Sequence, residues 1–345
     1  MPKKQPLISV IIPTYNSHKY ISAVFDAILN NNYKNLEIIV VDDNSIDHTL
    51  EIVETYKHKF KNLSIIIKPK NLKKSAAIST NIGVKKAKAD IVCSIDSDAI
   101  ISNNWFNEVL MQFQKNKKLG AVAGYIYTGN KEIIWASFMG AELEDRYDQI
   151  FQENNVTGAE VDHISTCNTA YSKKALNDVK LLDEELYYGY DVDLSYKLKN
   201  KGYALKLMKN ISCEHFWKES LIGYLKQQYN VAYGRMQILK RHPQRKSGDK
   251  VASWFMFMQV PLTGLWYGLL GLGILQLFFM QSSMLLLWSL LPLIILLVLQ
   301  LPQTLRLVKK REDITFIFFP LFILLRNTAW GVAASKYVIR GITKI

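Results

Sequence analysis

Asp96-Ser97-Asp98 closes a short apolar run, Ile91–Ile95, and residues i and i+2 of an extended chain point the same way. Two carboxylates so placed can share one hard divalent cation, and such a cation bridges diphosphate oxygens. The same spacing also serves turns and helix caps, so the pair needs company to mean chemistry. Company stands after two other apolar runs: Pro13-Thr14-Tyr15-Asn16 follows Leu7–Ile12, and Asp42-Asp43-Asn44-Ser45 follows Leu36–Val41. Later in the chain Asp191 and Asp193 open a helical pattern, Val192–Asn200, where acids favour the first turn. His215 follows the strand-like run Tyr203–Met208; a lone histidine is as a rule structural, but a neutral imidazole ligates Mn²⁺ beside carboxylates.

The elements that must position these groups alternate. Apolar, β-branched runs recur at Leu7–Ile12, Leu36–Val41, Leu63–Ile67 and Ile91–Ile95, separated by stretches of helical spacing at Tyr20–Leu29 and Leu50–Tyr56 and by a helix that Ser75 can cap. This predicts an α/β fold, a Rossmann-like, mostly parallel sheet covered on both faces. Ligands of such sheets bind beyond the carboxyl ends of the strands, so the three polar groups are expected on one edge. Neither GxxxxGK[ST] nor GxGxxG occurs between a strand and a helix, which removes support for P-loop hydrolysis and Rossmann-type hydride transfer.

The chain has 345 residues and a net charge of +13, and its 49% hydrophobic content conceals two unlike parts. From Val251 to Leu305 no Asp, Glu, Lys or Arg occurs, enough for two bilayer spans near 254–279 and 284–301. A third apolar segment lies near 314–335 and is either spanning or re-entrant; Lys336, Arg340 and Lys344 after it favour the second by the positive-inside rule. Arg326 within it is expected at a lipid phosphate or snorkelling to the interface, and Gly264 and Gly268 make a GxxxG weakened by bulky residues between them. Residues 245–345 hold eleven basic side chains against three acidic ones, which favours anionic headgroups over nucleic acid. Leu221–Arg241 reads as an interfacial helix. The organisation expected is thus a soluble domain over 1–220, a juxtamembrane helix over 221–250 and a membrane domain over 251–345, with the first domain in the cytoplasm. No signal peptide is expected, and Cys93, Cys167 and Cys213, which form no CxxC pair, suit a reducing compartment.

With these residues in order, the chain resembles the inverting nucleotide-sugar glycosyltransferases of family 2, which have the GT-A fold. The resemblance covers about residues 6–235 and is carried by Ser9-Val-Ile-Ile-Pro-Thr-Tyr-Asn16, Val40-Val-Asp-Asp-Asn-Ser45, Asn71 through Asn81-Ile-Gly83, Ser94-Ile-Asp-Ser-Asp98 and Gly189-Tyr-Asp-Val-Asp-Leu194. It implies a metal-dependent, hexosyltransferase-type enzyme using Mg²⁺ or Mn²⁺ and a nucleotide-sugar donor. Pro13, Thr14 and Tyr15 look like the loop that holds the base, and Asp42 or Asp43 like the carboxylate that recognises base or ribose. Asp96 looks like the ribose-side member of the DxD pair, Asp98 the metal-side member, and His215 an additional metal ligand. Asp191 falls where the family places the base that deprotonates the acceptor, with Asp193 as the other candidate. Asn168 and Thr169 match the acceptor-side segment, to which Asp193 and Arg235 are added; the stretch Thr166–Tyr171 reads equally as a plain sheet strand.

Three departures qualify the match: Tyr190 stands for the family's Glu before Asp191, Thr80 for an Arg before Asn81, and Lys73 for a Gly. The segment Gly129–Glu160, rich in aromatic and acidic residues, is read as an acceptor-binding insertion. The Gln-x-x-Arg-Trp motif of processive synthases is absent from 227–235, so transfer of a single sugar is expected. The acceptor expected is lipid or lipid-linked, such as a polyprenyl phosphate; an exopolysaccharide or glycolipid is the alternative, and a membrane-anchored sugar-nucleotide sensor without turnover is the alternative outside enzymes.

Overall fold

The computed structural model describes residues 5–154, 157–245, 251 and 254–342. Residues 246–250, 252–253 and 343–345, which the sequence reading places in the juxtamembrane and membrane segments, lie outside the described ones. The chain divides into two compact units, Met1–Asn130 with Arg146–Phe216, and Lys131–Asp145 with Trp217–Ile345. Lys131–Asp145, inside the stretch 1–220 read as the soluble domain, thus clusters with the tail helices.

The first unit follows the alternation of the sequence: β1 Ile8–Thr14, α1 Ile21–Leu29, β2 Leu36–Asp42, α2 Thr49–Thr55, β3 Leu63–Ile67, α3 Ala76–Lys86, β4 Ile91–Ile95, β5 Ala99–Ile101, α4 Trp105–Lys115 and β6 Leu119–Thr128. A long helix, α5 Ile134–Asn154, is followed by β7 Gly158–Glu160, β8 Asn168–Ser172, α6 Lys173–Asp178, α7 Tyr190–Asn200 and β9 Ala204–His215. The sheet runs β3-β2-β1-β4-β8-β6-β9-β5, with β7 beside β9. It is a mostly parallel, Rossmann-like GT-A sheet. Its β1, β2 and β4 are nearly all buried, which is why they read as unbroken apolar runs rather than alternating ones.

Register decides what meets what. Thr14 lies opposite Asp42, so β1 and β2 end level, and parallel β4 ends beside them. β8 is antiparallel to β4 with Ile95 opposite Asn168, which brings the start of β8, rather than its end, to the same edge. β6 is antiparallel to β8 and parallel to β9, with Thr128 opposite His215, so β9 ends there too. The groups after Thr14, Asp42, Ile95 and those before Asn168 and at His215 therefore share one sheet edge. Gly124 marks a register shift between β6 and β9: a Cβ there would lie 2.3 Å from the Ile211 carbonyl oxygen and 2.6 Å from Asn168 Nδ2.

The second unit comprises the first half of α5 with α8 Leu221–Arg241, α9 Trp254–Met280, α10 Met284–Arg311, a 3₁₀ turn Ile314–Phe318 and α11 Phe319–Ile342. Three helical segments, Trp254–Met280, Met284–Arg311 and Ile314–Arg340, are long and apolar enough to cross a membrane. Their exposed side chains include Phe278, Phe279, Leu287 and Trp288, an outward face suited to hydrocarbon rather than water. Near the turn between α9 and α10, Gly273 is required by close packing, since a Cβ would lie 2.6 Å from the Leu286 nitrogen. Gly264 and Gly268 have nothing within 4 Å of an added Cβ, so the GxxxG brings no helix close.

Along α8 the contacts of α11 advance in step: Tyr224 stacks on Phe322 at 4.4 Å, Trp330 Nε1 donates to Gln228 Oε1 at 3.0 Å, and Tyr233 meets Tyr337 edge-on at 5.5 Å. Against α9, Phe257 meets Trp330, and the Tyr267 and Thr328 hydroxyls bond at 3.0 Å. α11 therefore runs beside α8 and also touches α9.

The first half of α5 buries Phe138, Met139 and Ala141 against Tyr224, Leu307, Phe316, Phe319 and Phe322. Its acids meet the cations of the tail. Asp145 accepts both Arg306 Nε and Nη2 at 3.0 Å; Glu144 pairs with Arg311 at 2.7 Å and Lys310 at 3.3 Å; Glu142 pairs with Arg326. Arg326, 2% exposed, also donates to Gln259 at 3.1 Å and Asn327 at 3.0 Å. This corrects two expectations: Glu142, Glu144 and Asp145 of the segment Gly129–Glu160 are buried counter-ions rather than acceptor ligands, and Arg326 is bound within the protein rather than at lipid phosphate. A buried cation stripped of its partner is costly, so Glu142→Ala is expected to destabilise the protein by roughly 3–5 kcal/mol. Thermal melting in detergent checks this, with Glu142→Ala/Arg326→Leu recovering much of the loss.

Candidate active site

The loops after β1 and β2 are fastened to each other. Asn16, in the left-handed region at φ 50°, accepts Ile46 N on its Oδ1 at 2.9 Å and donates its own N–H to Ser45 Oγ at 2.9 Å. Ser45 in turn donates from its hydroxyl and its backbone nitrogen to the two oxygens of Asp42 at 2.5 and 2.9 Å. Asp42 is wholly buried, with both oxygens spent on its own turn. It is a turn former; Asp43, buried as well, has both oxygens bonded to residues outside its own turn.

Asp43 is held at the mouth by a lysine that the sequence did not single out. Lys68, buried at the end of β3, sets its Nζ 2.5 Å from Asp43 Oδ1 and also donates to the Lys73 carbonyl at 2.7 Å, while Ser75 N donates to Asp43 Oδ2 at 3.1 Å. Tyr15 is 41% exposed, and Lys74 Nζ both donates to its hydroxyl at 2.8 Å and sits 4.1 Å from its ring centre. Pro13 and Thr14 form the strand end behind it, Thr14 almost fully buried. Ser17 and Ser97 hydroxyls bond at 2.7 Å, tying this loop to the carboxylates after β4.

Asp98 Oδ1 stands 3.4 Å from His215 Nε2, and single ligand atoms of Asp96, Cys167 and His215 all lie within 4.8 Å of one another. The Asp96 carboxyl is pushed up to about 7 by burial, with the negative charges of Asp98 and Asp191 adding to it. Negative charges that act on one another in this way favour a cation among them. Carboxylate oxygens with one imidazole suit Mg²⁺ or Mn²⁺. Cys167 contributes less: its thiol is raised well above the ordinary value by hydrogen bonding to Cys213 and by burial, so it stays protonated, and sulfur is a poor partner for a hard ion. Asp96, Asp98 and His215 are thus the residues that fit a divalent metal.

Below about pH 7 Asp96 carries a proton that a cation must displace, so Mn²⁺ affinity is expected to fall by up to about tenfold per pH unit on going down from 7. Above 7 it levels off. Metal-free protein behaves oppositely: the folded state holds this proton where the unfolded one, with its ordinary value of 3.8, has lost it, so this group's contribution to stability declines as pH rises from about 4 to 7. Electron paramagnetic resonance titration of Mn²⁺ between pH 5.5 and 8.5 reads the first effect.

Gly189, at φ 79°, turns the chain into α7, and Asp191 in the first turn accepts its neighbour Val192 N on Oδ1 at 2.9 Å. Its charge is among those raising Asp96, which locates it at the same cluster. Tyr190, standing where the family has Glu, is held as a neutral phenol: burial, then Asp96 and Asp191, push its ionisation far up. The loop before α7 is set by Asn81, whose side chain bonds Leu182 O at 2.9 Å, Leu182 N at 3.1 Å and Glu184 Oε1 at 2.9 Å. Asn81 therefore fastens the loop before α7 to α3 across 101 residues of sequence.

The acceptor-side residues fare differently. Asn168 is buried in β8, accepting from Trp105 Nε1 at 2.6 Å and donating to the Tyr125 carbonyl at 3.2 Å. Thr169 is wholly buried and bonded to the Ser165 carbonyl. Asp193 is buried with Lys197 Nζ at 3.4 Å, one turn on in α7. These three hold the sheet and helix together and offer an acceptor no free face. Arg235 belongs to the helical unit, where its guanidinium lies 5.0 Å from the ring centre of Phe257.

Comparison with known proteins follows the same division. The sequence profile described as Glycosyl transferase family 2 matches residues 9–180. Poly-beta-1,6-N-acetyl-D-glucosamine synthase of Staphylococcus epidermidis is 29% identical over 236 residues, and that of Staphylococcus aureus strain COL 30% over 234 residues. Each match covers 68% of this chain and 56% of the relative, so the chain spans little more than half the length of the curated relatives it matches. Among solved structures, a mannosyltransferase from Pyrobaculum calidifontis in complex with GDP-Man and Mn²⁺ superposes with a TM-score of 0.59 at 16% identity, covering 98% of this chain and 88% of that one, a likeness of fold.

Proposed function

The chain belongs to glycosyltransferase family 2, and from that membership we propose that it transfers one sugar from a nucleotide-diphosphate donor to a growing exopolysaccharide or glycolipid at the membrane. The observation that carries the reading is the convergence of Asp96, Asp98, His215 and Asp191 on the edge where β1, β2 and β4 end. Tyr15 with Lys74, and Asp43 held by Lys68, form the base and ribose side of the donor pocket. Asp96, Asp98 and His215 would hold Mg²⁺ or Mn²⁺, which when bound stabilises the charge gathering on the departing nucleoside diphosphate. Asp191 orients the acceptor hydroxyl and takes its proton as the acceptor oxygen bonds to the anomeric carbon and the carbon–oxygen bond to the diphosphate breaks. Nucleoside diphosphate leaves, and the proton passes from Asp191 to solvent.

The glycan acceptor replaces the polyprenyl phosphate as the preferred reading because the relatives are named as synthases of a polysaccharide, and that name also makes a nucleotide-activated N-acetylglucosamine the first donor to try. Partition of radiolabelled sugar tests it: label should enter a glycan or glycolipid fraction, and label entering only polyprenyl phosphate would reverse the choice.

For the tail we propose two spans, α9 and α10, with α11 lying in the cytoplasmic interface beside α8. The support is the in-step contact of α11 with α8 and the basic excess on both sides of the spans. A cysteine at Val338 should then react with an impermeant maleimide from the same side as one at Ser220; labelling from the opposite side would make α11 a third span.

A further inference from the structure

β4 and β8 are antiparallel with Ile95 opposite Asn168, so the next residues outward, Asp96 and Cys167, also lie across from each other, and Asp96 N donates to the Cys167 carbonyl at 2.9 Å. His215 reaches the same place from the end of β9. One carboxylate oxygen of Asp96, the Cys167 sulfur and one ring nitrogen of His215 lie within 4.8 Å of one another, near enough to close on a single ion. Beside them Cys213, two residues before His215 on β9, shares a hydrogen bond with the Cys167 thiol. Asp98 faces His215 at 3.4 Å and, being the more exposed of the two, marks the side on which solvent reaches the group.

A hard ion such as Mg²⁺ has little use for the sulfur, whereas a softer one takes it readily. Carboxylate, thiolate and neutral imidazole carry two negative charges between them, which match one divalent cation. They are also the ligand types that Zn²⁺ takes in threes where its fourth position stays open. We propose that this strand edge binds Zn²⁺ through Asp96, Cys167 and His215, in a mode that shares two ligands with Mg²⁺ or Mn²⁺ and adds the sulfur. As the sulfur–zinc bond forms, the Cys167 thiol releases its proton to solvent, and Cys213 stays a thiol that donates to the bound sulfur. The two modes exclude each other, since both need Asp96 and His215. Ligand positions alone carry this assignment, so it stands whether or not the sugar transfer proposed above takes place.

Co²⁺ enters zinc sites and reports sulfur ligation by a near-ultraviolet charge-transfer band, which can be read on full-length protein in detergent after removal of metal by chelation. The wild type should show the band, and Zn²⁺ should abolish it. Displacement of Mn²⁺ by Zn²⁺ alone would decide nothing, because nitrogen and oxygen ligands already favour Zn²⁺ over Mn²⁺; the dependence on Cys167 decides. Cys167→Ser should lose the band and bind Zn²⁺ roughly 10- to 100-fold more weakly, a loss that removal of a ligand's neighbour already brings at metal sites. Wild-type Mn²⁺ affinity in that variant would show the edge still folded, and Cys213→Ser should keep the band. Co²⁺ held by the wild type without the band, or a band that survives Cys167→Ser, would overturn the proposal. A wild type that shows the band but binds no Mn²⁺ would uphold the zinc site and count against the donor site instead.

Discussion

Asp191→Asn is expected to lower the turnover number for sugar transfer by roughly 10²–10⁴-fold while donor affinity stays close to that of the wild type. The amide keeps the size of the carboxylate and its bond to Val192 N, but cannot accept the acceptor's proton. A second readout separates a base from a metal ligand. Asp191 helps to hold the Asp96 carboxyl up near 7, so removing its charge lets Asp96 ionise at lower pH. Mn²⁺ binding at pH 6.5 should therefore weaken only slightly in the variant that has lost turnover, the easier ionisation of Asp96 offsetting part of the lost attraction of a nearby carboxylate. Loss of turnover together with abolished Mn²⁺ binding would instead place Asp191 among the metal ligands.

Asp98→Asn should act at the other half of the reaction. Asp98 faces His215 at 3.4 Å and is proposed above as an oxygen ligand of the cation beside Asp96. Its loss removes a charge from the group that binds the diphosphate through a cation, and kcat/KM should fall roughly 10²–10³-fold. Donor affinity should fall with it, measured calorimetrically in the presence of Mn²⁺, and this distinguishes it from Asp191→Asn. Asp42→Asn offers the contrast: with both oxygens tied to Ser45, it should lower the melting temperature before it alters catalysis. An Asp98→Asn enzyme with wild-type Mn²⁺ affinity would remove Asp98 from the metal.

Much of this site could be read from the sequence because buried parallel strands leave a plain mark. β1, β2, β3 and β4 appear as apolar β-branched runs, and the polar groups that follow them fall on one edge by the rules of such sheets. β6 was missed for a physical reason. Its Gly120 and Gly124 look like turn signals in Leu-Gly-Ala-Val-Ala-Gly-Tyr, whereas Gly124 is there because a Cβ would collide with Ile211 and Asn168. Lys68 was hidden by its surroundings: Lys68-Pro-Lys-Asn-Leu-Lys-Lys74 reads as a solvated basic loop, and only the pairing of β2 with β3 turns its first lysine onto Asp43. Between Asp42 and Asp43 the residue types are identical, and only the fold shows that the first bonds Ser45 in its own turn and the second Lys68 and Ser75. The acids of α5 had the same ambiguity, with partners more than 160 residues away in the tail. The tail's spans were legible by length, while the course of α11 depends on contacts with α8 that hydropathy does not record.

Nucleoside diphosphate release shows most directly whether the shared strand edge is a working transferase site. Full-length protein in detergent would be given a panel of nucleotide sugars with Mn²⁺, with and without glycan and glycolipid acceptors, and the anomeric configuration of the product read by nuclear magnetic resonance. A working site gives acceptor-dependent release of one nucleoside diphosphate for each sugar transferred, from one preferred donor, with inversion at the anomeric carbon. Donor binding without release under any condition would contradict it and make the edge a sugar-nucleotide sensor; product with retained configuration would remove Asp191 from the role of base.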